Sequence, residues 1–179
     1  MNTTSQISEV ELELTYLAAK IPIELTGSKP ERLIDIYVPD SGVDHARLRL
    51  RKKGNVFQIT KKQPINEGDA SAHNEMTIPL DEKEFEALST SSTKQIVKDR
   101  YNVVINGSPA EVDVFLNDLA GLVLIDFEFA SEADKQAFSP TDICLADVTQ
   151  ENFIAGGLLA GKTYSDIESD LEKFGYKPL

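Results

Sequence analysis

The stretch Glu9-Val10-Glu11-Leu12-Glu13-Leu14-Thr15 constrains this chain more than any other. Its carboxylates fall on every second residue, with aliphatic side chains between them. In a β-strand alternate side chains point to opposite faces. Glu9, Glu11 and Glu13 then share one face, and Val10, Leu12 and Leu14 the other. Like charges in a row repel, so such a row persists only where water, basic groups or metal ions stand in front of it.

The same alternation recurs down the chain. Arg47-Leu48-Arg49-Leu50-Arg51, within a strand expected over Ala46–Lys52, repeats it with positive charge. Val56–Lys62 puts Gln58, Thr60 and Lys62 on one face, and Asn74–Leu80 does the same for Glu75 and Thr77. Ile96–Ile105 carries Lys98-Asp99-Arg100-Tyr101. Ala110–Leu116 pairs Glu111 with Asp113, and Leu122–Phe129 pairs Asp126 with Glu128. Arg32–Val38, with Tyr37 near its end, completes eight expected strands. Lys53-Gly54-Asn55 and Asn106-Gly107-Ser108-Pro109 read as hairpin turns, and Pro64–Ala72 as a polar loop. Leu17–Lys20 reads as a short helical turn before Pro22. Helices are expected over Asp81–Leu88, acidic in its first turn, and from Ser131, as a cap, to the break at Pro140-Thr141-Asp142. A third runs over Tyr164–Phe174, with Ser165 as cap and Gly175 as stop. Gln150–Leu159, interrupted by Gly156-Gly157, has no clear assignment.

Two architectures accommodate this pattern. One is a sheet whose polar face is solvated and whose charges pair across strands. The other is a closed barrel with a wet, charged interior, which also removes exposed edges. The expectation adopted is the second: an α+β, mainly β fold, an eight-stranded antiparallel tunnel with helices packed outside. The inward acids would be Glu9, Glu11, Glu13, Glu75, Glu111, Asp113, Asp126 and Glu128. The inward bases would be Arg47, Arg49, Arg51, Lys62, Lys98 and Arg100. Arginine forks match phosphate oxygens, so the basic set suits a polyanion. The acids suit a hard divalent cation, Mg²⁺ or Mn²⁺, between that ligand and the wall.

Composition narrows the class. Thirty Asp and Glu against eighteen Lys and Arg give a net charge of −12, which argues against nucleic acid and against anionic membranes as partners. A single cysteine, Cys144, rules out an internal disulfide and fits a reducing compartment. No apolar run approaches membrane-spanning length and no signal-peptide core opens the chain, so a cytoplasmic location is expected. Residues 1–179 read as one domain, with 1–8 a flexible lead and 163–179 a C-terminal helix and tail. A homodimer would be compatible with this reading. His45 and His73 are too few and too isolated to argue a zinc site, and read as loop or strand-edge residues.

Taken in order, these segments resemble the CYTH domain, or triphosphate tunnel metalloenzyme, family. Glu11-Leu12-Glu13-Leu14-Thr15 is similar to its Glu-x-Glu-x-Lys signature, with threonine in place of lysine. Arg47-Leu48-Arg49, Thr60-Lys61-Lys62, Glu75 before Ile78-Pro79, and Lys98-Asp99-Arg100-Tyr101 resemble later elements of the family. So do Glu111-Val112-Asp113, Asp126-Phe127-Glu128 and Asp147-Val148-Thr149. The resemblance covers roughly Glu9 to Ala160. It implies a tunnel that binds triphosphates with Mg²⁺ or Mn²⁺, and inorganic triphosphatase, thiamine triphosphatase or class IV adenylyl cyclase activity. Arg47, Arg49, Lys62, Lys98 and Arg100 would hold phosphate oxygens. Glu11 and Glu13, with Asp126, Glu128 and Asp113, would serve the metal, and Glu75 would tune the metal or orient water.

The departure at Thr15 falls on the chemistry. In some small family members the motif lysine works with a tyrosine of the next strand on the attacking water, and Tyr37 matches that tyrosine. A threonine hydroxyl is neither a cation nor a base near neutral pH. Either Lys20 or Lys62 substitutes, or turnover is weak. A catalytically weak or inactive phosphate-binding protein is therefore the alternative to a triphosphatase.

Overall fold

A computed structural model describes residues 7–42 and 45–179. Nine strands form one antiparallel sheet. They are β1 (Ile7–Ala18), β2 (Glu31–Val38), β3 (Leu48–Lys53), β4 (Val56–Pro64), β5 (Ala72–Leu80), β6 (Gln95–Ile105), β7 (Ser108–Phe115), β8 (Val123–Phe129) and β9 (Cys144–Asp147). Their order is β5-β4-β3-β2-β6-β7-β8-β1-β9, and a further pairing of β5 with β1 closes the first eight into a barrel. The turn between β6 and β7 uses Asn106 and Gly107, both at positive φ (49° and 86°). Two such residues give the twist that a tight hairpin requires.

β1 holds the barrel together. One edge pairs with β8 from Leu12 to Leu17. The other pairs with β5 from Ile7 to Leu12 and with β9 from Tyr16 to Ala18. Between those partners, Glu13 N donates to Ser71 O and Thr15 N to Thr149 Oγ1, each at 3.0 Å, so the backbone there is not left unsatisfied.

The helices α1 (Glu82–Ser89), α2 (Glu132–Ala137), α3 (Gly156–Leu159) and α4 (Tyr164–Glu172) lie against the barrel. Three apolar clusters explain their placement. Phe85 of α1 packs on Ile36, Val38, Leu50 and Phe57, on the outer face of β2–β4. Phe138, just after α2, meets Tyr16, Phe127 and Phe129 on the outer face of β1 and β8. The third cluster caps one end. Leu17, Ile96, Phe115 and Leu124 share the inward parity of the charged residues, yet pack with Leu159 of α3 and with Ile167 and Leu171 of α4. The interior therefore changes from charged to apolar at the end covered by α3.

Several local expectations need correction. Leu17 and Ala18 are not a helical turn; they continue β1, because β8 and β9 bond to its two edges there. β9 was not anticipated. The cap of α4 is Thr163, not Ser165, with Asp166 closing a capping box. Of the lead expected over 1–8, residues 1–6 lie outside the described residues and Ile7 and Ser8 belong to β1. The tail after α4 is tied down: Tyr176 Oη accepts from Val123 N and donates to Gly121 O, both at 2.8 Å. Among the described residues, no helix is long and apolar enough to cross a membrane.

Candidate active site

The barrel encloses a cavity of about 570 Å³. All eight acids and all six bases expected to face inward line it. Strand parity puts them there: each occupies the face opposite the aliphatic residues that pack against the helices. Thr15 and Tyr37 line the same cavity.

Most of these charges are matched within the tunnel. Asp113, on β7, is 1% exposed, and both its oxygens are taken. Arg100 grips it with two bonds of 2.7 Å, and Lys98 donates to it as well. Arg100 also pairs with Glu111 and lies 3.9 Å from Asp126. Lys62 Nζ sits 2.7 Å from Glu11 Oε2 and 2.6 Å from Glu13 Oε1. Asp35, which the alternation did not single out, is 1% exposed and holds Arg51 through two 2.7 Å bonds. Arg51 is thus committed to the wall. Arg47 and Arg49 make no carboxylate pair among the described residues. Arg49 Nε is buried without a hydrogen-bond partner. Lys20 is not in the tunnel: it pairs with Asp142 on the outer surface, which removes it as a substitute for the missing lysine.

The titration behaviour follows from this pairing. Burial would raise Asp113 and Asp35, but the guanidinium and ammonium groups beside them hold both well below the usual carboxylate range. Burial would likewise raise Glu11, yet Lys62, Arg49 and His73 outweigh it and leave it lowered. Three acids behave oppositely. Burial, against the pull of Lys62 and with Glu11 and Asp126 nearby, pushes Glu13 up to about 7. Burial and then the charges of Glu111, Glu11 and Glu13 push Glu128 up to about 7. Burial and Asp113 push Asp126 up to about 6. Glu13 and Glu128 face one another across β1 and β8, as do Thr15 and Asp126. Burial is the first cause at each of these acids, and the neighbouring carboxylates add to it, so these groups hold protons more readily than Asp113 or Asp35.

Thr15 is 8% exposed and its Oγ1 donates to Asp126 Oδ1 at 2.7 Å. Tyr37 lies opposite Arg49 in the β2–β3 register. Burial and Asp35 raise its phenol, so it stays protonated near neutral pH. A Cβ on Gly156 would stand 2.0 Å from Tyr37 Oη, so glycine is what lets α3 close over the tyrosine. One on Gly157 would meet Ala46 O at the same distance. Glu75 lies opposite both Glu9 of β1 and Lys62 of β4, and it accepts from Thr77 Oγ1 at 3.2 Å.

His73 belongs to the site, contrary to the strand-edge reading. It lies opposite Glu11 in the β1–β5 register, and its Nδ1 is 3.7 Å from Glu13 Oε1. Burial and the charge of Lys62 lower its pKa to about 4, so the ring is neutral at physiological pH. A strand begun at Asn74 misses it by one residue; begun at Ala72, parity puts His73 beside Glu75. Asp35 was legible the same way, two residues before Tyr37 on one face.

No protein-family model matches the chain. It is 32% identical over 143 residues, 79% of this chain and 90% of the relative, to an inorganic triphosphatase of Nitrosomonas europaea. A solved structure of the inorganic triphosphatase NE1496 superposes with a TM-score of 0.62 at 28% identity, covering 84% of this chain and 93% of that one. The structure of a candidate adenylate cyclase from Bacillus halodurans, at 18% identity, covers 90% of this chain and 97% of its own with a TM-score of 0.53 and shares the fold. With its acidic β1 strand, its charged barrel interior and this relative, the chain belongs to the family of the Nitrosomonas inorganic triphosphatase and has a CYTH-like tunnel fold.

Proposed function

We propose that this protein is a metal-dependent triphosphatase of the CYTH family that acts on inorganic tripolyphosphate. The observation that carries this reading is the charge arrangement of the tunnel. Arg47 and Arg49, which have no carboxylate partner among the described residues, face a cavity whose opposite wall carries clustered acids of β1 and β8. The choice of tripolyphosphate rests on the relative and on the lining. Besides two histidines, the aromatic side chains in the cavity are Tyr37 and Phe115, both packed at the apolar end. The charged length of the tunnel therefore offers no tyrosine, phenylalanine or tryptophan face on which a base or thiazole ring would stack.

Arg47 and Arg49 take the first phosphate oxygens. Lys62 adds to them as Glu11 and Glu13 turn to the metal, and Lys98 and Arg100 add the N–H donors that their carboxylates leave free. Glu11 and Glu13 would hold Mg²⁺ or Mn²⁺, with Asp126 and Glu128 adjoining. The residues fit a cation: Glu11 and Glu13 already share one positive group, the Lys62 ammonium, at 2.7 and 2.6 Å, and His73 offers a ring nitrogen beside them. When bound, the ion neutralises phosphate charge and acidifies water. Asp113 fixes Lys98 and Arg100 for their contacts with phosphate. Thr15 orients Asp126, and Tyr37 stays a neutral hydrogen-bond donor toward the ligand.

Transfer of a phosphoryl group to water is chiefly a matter of positioning and charge neutralisation. Both are provided here, whereas Thr15 supplies no acid–base group. Turnover is accordingly slow relative to binding. The test is phosphate release from tripolyphosphate, ATP and thiamine triphosphate with Mg²⁺ or Mn²⁺, alongside thermal-shift binding of the same ligands. Tripolyphosphate should stabilise the protein most and be the preferred substrate. Stabilisation without any release would make the protein a binder, and preference for ATP or thiamine triphosphate would overturn the substrate assignment.

A further inference from the structure

We propose that His73 is itself a ligand of the tunnel cation, forming with Glu11 and Glu13 a site that takes Mn²⁺ in preference to Mg²⁺. The inference rests on the reading of Glu11 and Glu13 as metal-holding residues and adds to it the third ligand and the selectivity. Three observations carry it. One ligand-capable atom from each of Glu11, Glu13 and His73 lies within 4.8 Å of the others. The pairing of β1 with β5 fixes that approach, because Glu11 and His73 are direct cross-strand partners. One of the atoms, His73 Nδ1, is shut off from solvent without a hydrogen-bond partner, in a side chain that is 12% exposed.

An unpartnered buried polar atom costs about 1–3 kcal/mol. That atom and the two carboxylates converge on one point, an arrangement explained by a shared positive group. Lys62 occupies part of that role, at 2.7 Å from Glu11 Oε2 and 2.6 Å from Glu13 Oε1, but it forms no bond with the imidazole. A divalent ion satisfies all three ligands and releases Lys62 toward the phosphate. Ligand chemistry then sets the choice of ion. Mg²⁺ prefers an all-oxygen shell and gives up water reluctantly, whereas imidazole nitrogen favours transition ions.

The test uses the full-length protein with metal alone. Mn²⁺ affinity is measured by electron paramagnetic resonance, Mg²⁺ affinity by calorimetry, and imidazole coordination by the ¹⁴N modulation of the bound Mn²⁺ signal. Wild type should show that modulation. His73→Gln should lose it, with a Mn²⁺ affinity lower by about tenfold or more and a Mg²⁺ affinity changed by less than about threefold. His73→Asp, which exchanges nitrogen for oxygen, should bind Mn²⁺ without the ¹⁴N signal and narrow the gap between the two ions. Melting in EDTA confirms that both variants fold. Mn²⁺ binding without ¹⁴N modulation, unchanged in His73→Gln, would overturn the role of His73 while leaving Glu11 and Glu13 as ligands. No Mn²⁺ binding by wild type would overturn the inference and the carboxylate site together. Phosphate release from tripolyphosphate is read separately, so failure of the proposed activity is distinguishable from either.

Discussion

Asp113 separates two kinds of tunnel carboxylate. If it holds Lys98 and Arg100, as its geometry indicates, Asp113→Asn preserves shape and strips two largely buried cations of their shared anion. Breaking a buried pair by removing one partner costs about 3–5 kcal/mol. The lower end applies here, because Arg100 keeps Glu111 and has Asp126 at 3.9 Å, whereas Lys98 has no other carboxylate partner among the described residues. About 3 kcal/mol corresponds to a fall in Tm of about 6–12 °C for a chain of this size. The measurement is thermal unfolding in EDTA. Tripolyphosphate supplies the missing negative charge, so the rise in Tm on adding it should be larger in the variant than in wild type. A metal ligand would behave differently: Mn²⁺ affinity would drop while stability in EDTA barely moved. A Tm within about 2 °C of wild type in EDTA, which is under about 1 kcal/mol, would refute the positioning role.

Thr15→Lys should raise kcat by about 10²-fold or more, within the 10²–10⁴-fold range of a positioned acid–base group, while KM changes less. An unchanged kcat with tighter binding would mean that the ammonium acts only as one more charge. Gly156→Ala drives a methyl group into Tyr37 Oη and should cost about 1–3 kcal/mol in denaturant unfolding; a neutral result would show that α3 moves freely away from the tyrosine. Glu13 and Glu128 titrate at about 7 and Asp126 at about 6 in the folded chain, all above their unfolded values. The folded state therefore keeps protons that the unfolded state has released. In EDTA the Tm should fall as pH rises from about 5 to about 7.5, and Mn²⁺ should flatten that slope. Asp35 and Asp113, which are lowered, destabilise the fold only in more acidic solution. Finally, Lys62→Met should weaken the mutual enhancement of Mn²⁺ and tripolyphosphate binding, measured as the change in each affinity when the other ligand is present.

The barrel was legible because its signal is repeated. Nearly all of the eight strands alternate charge or polarity with aliphatic residues, and a register slip of one residue would bury the charges among Phe57, Phe85, Phe127 and Phe138. What was not legible depended on distant partners. β9 is four residues long and exists because the end of β1 has a free edge for it. Gly156 and Gly157 read as helix breakers, yet they open a short helix, because the surfaces of Tyr37 and Ala46 come too close for any larger residue. The apolar end of the tunnel was hidden in the same way. Leu17, Ile96, Phe115 and Leu124 look like ordinary core residues until strand parity turns them inward beneath α3 and α4.

At the site, alternation specifies a face but not a partner. It placed Arg51 and Arg49 side by side, two residues apart on β3, and gave no means of telling them apart. In the folded chain they differ completely: β2 sets Asp35 opposite Arg51 and Tyr37 opposite Arg49, so one guanidinium is consumed by a buried carboxylate and the other faces the cavity. Lys62 differs again. It lies on β4, but the carboxylates it pairs with lie on β1, reached over the intervening β5 and not along a ladder. The same two carboxylates are the ones a cation would take. On the proposed function, metal entry would release Lys62, and the freed ammonium would favour a phosphate oxygen as its next partner. By reciprocity, phosphate that draws Lys62 away leaves Glu11 and Glu13 more open to metal. On that reading cation and anion would enter this tunnel as coupled ligands, and the coupling would reside in one lysine that has two alternative partners.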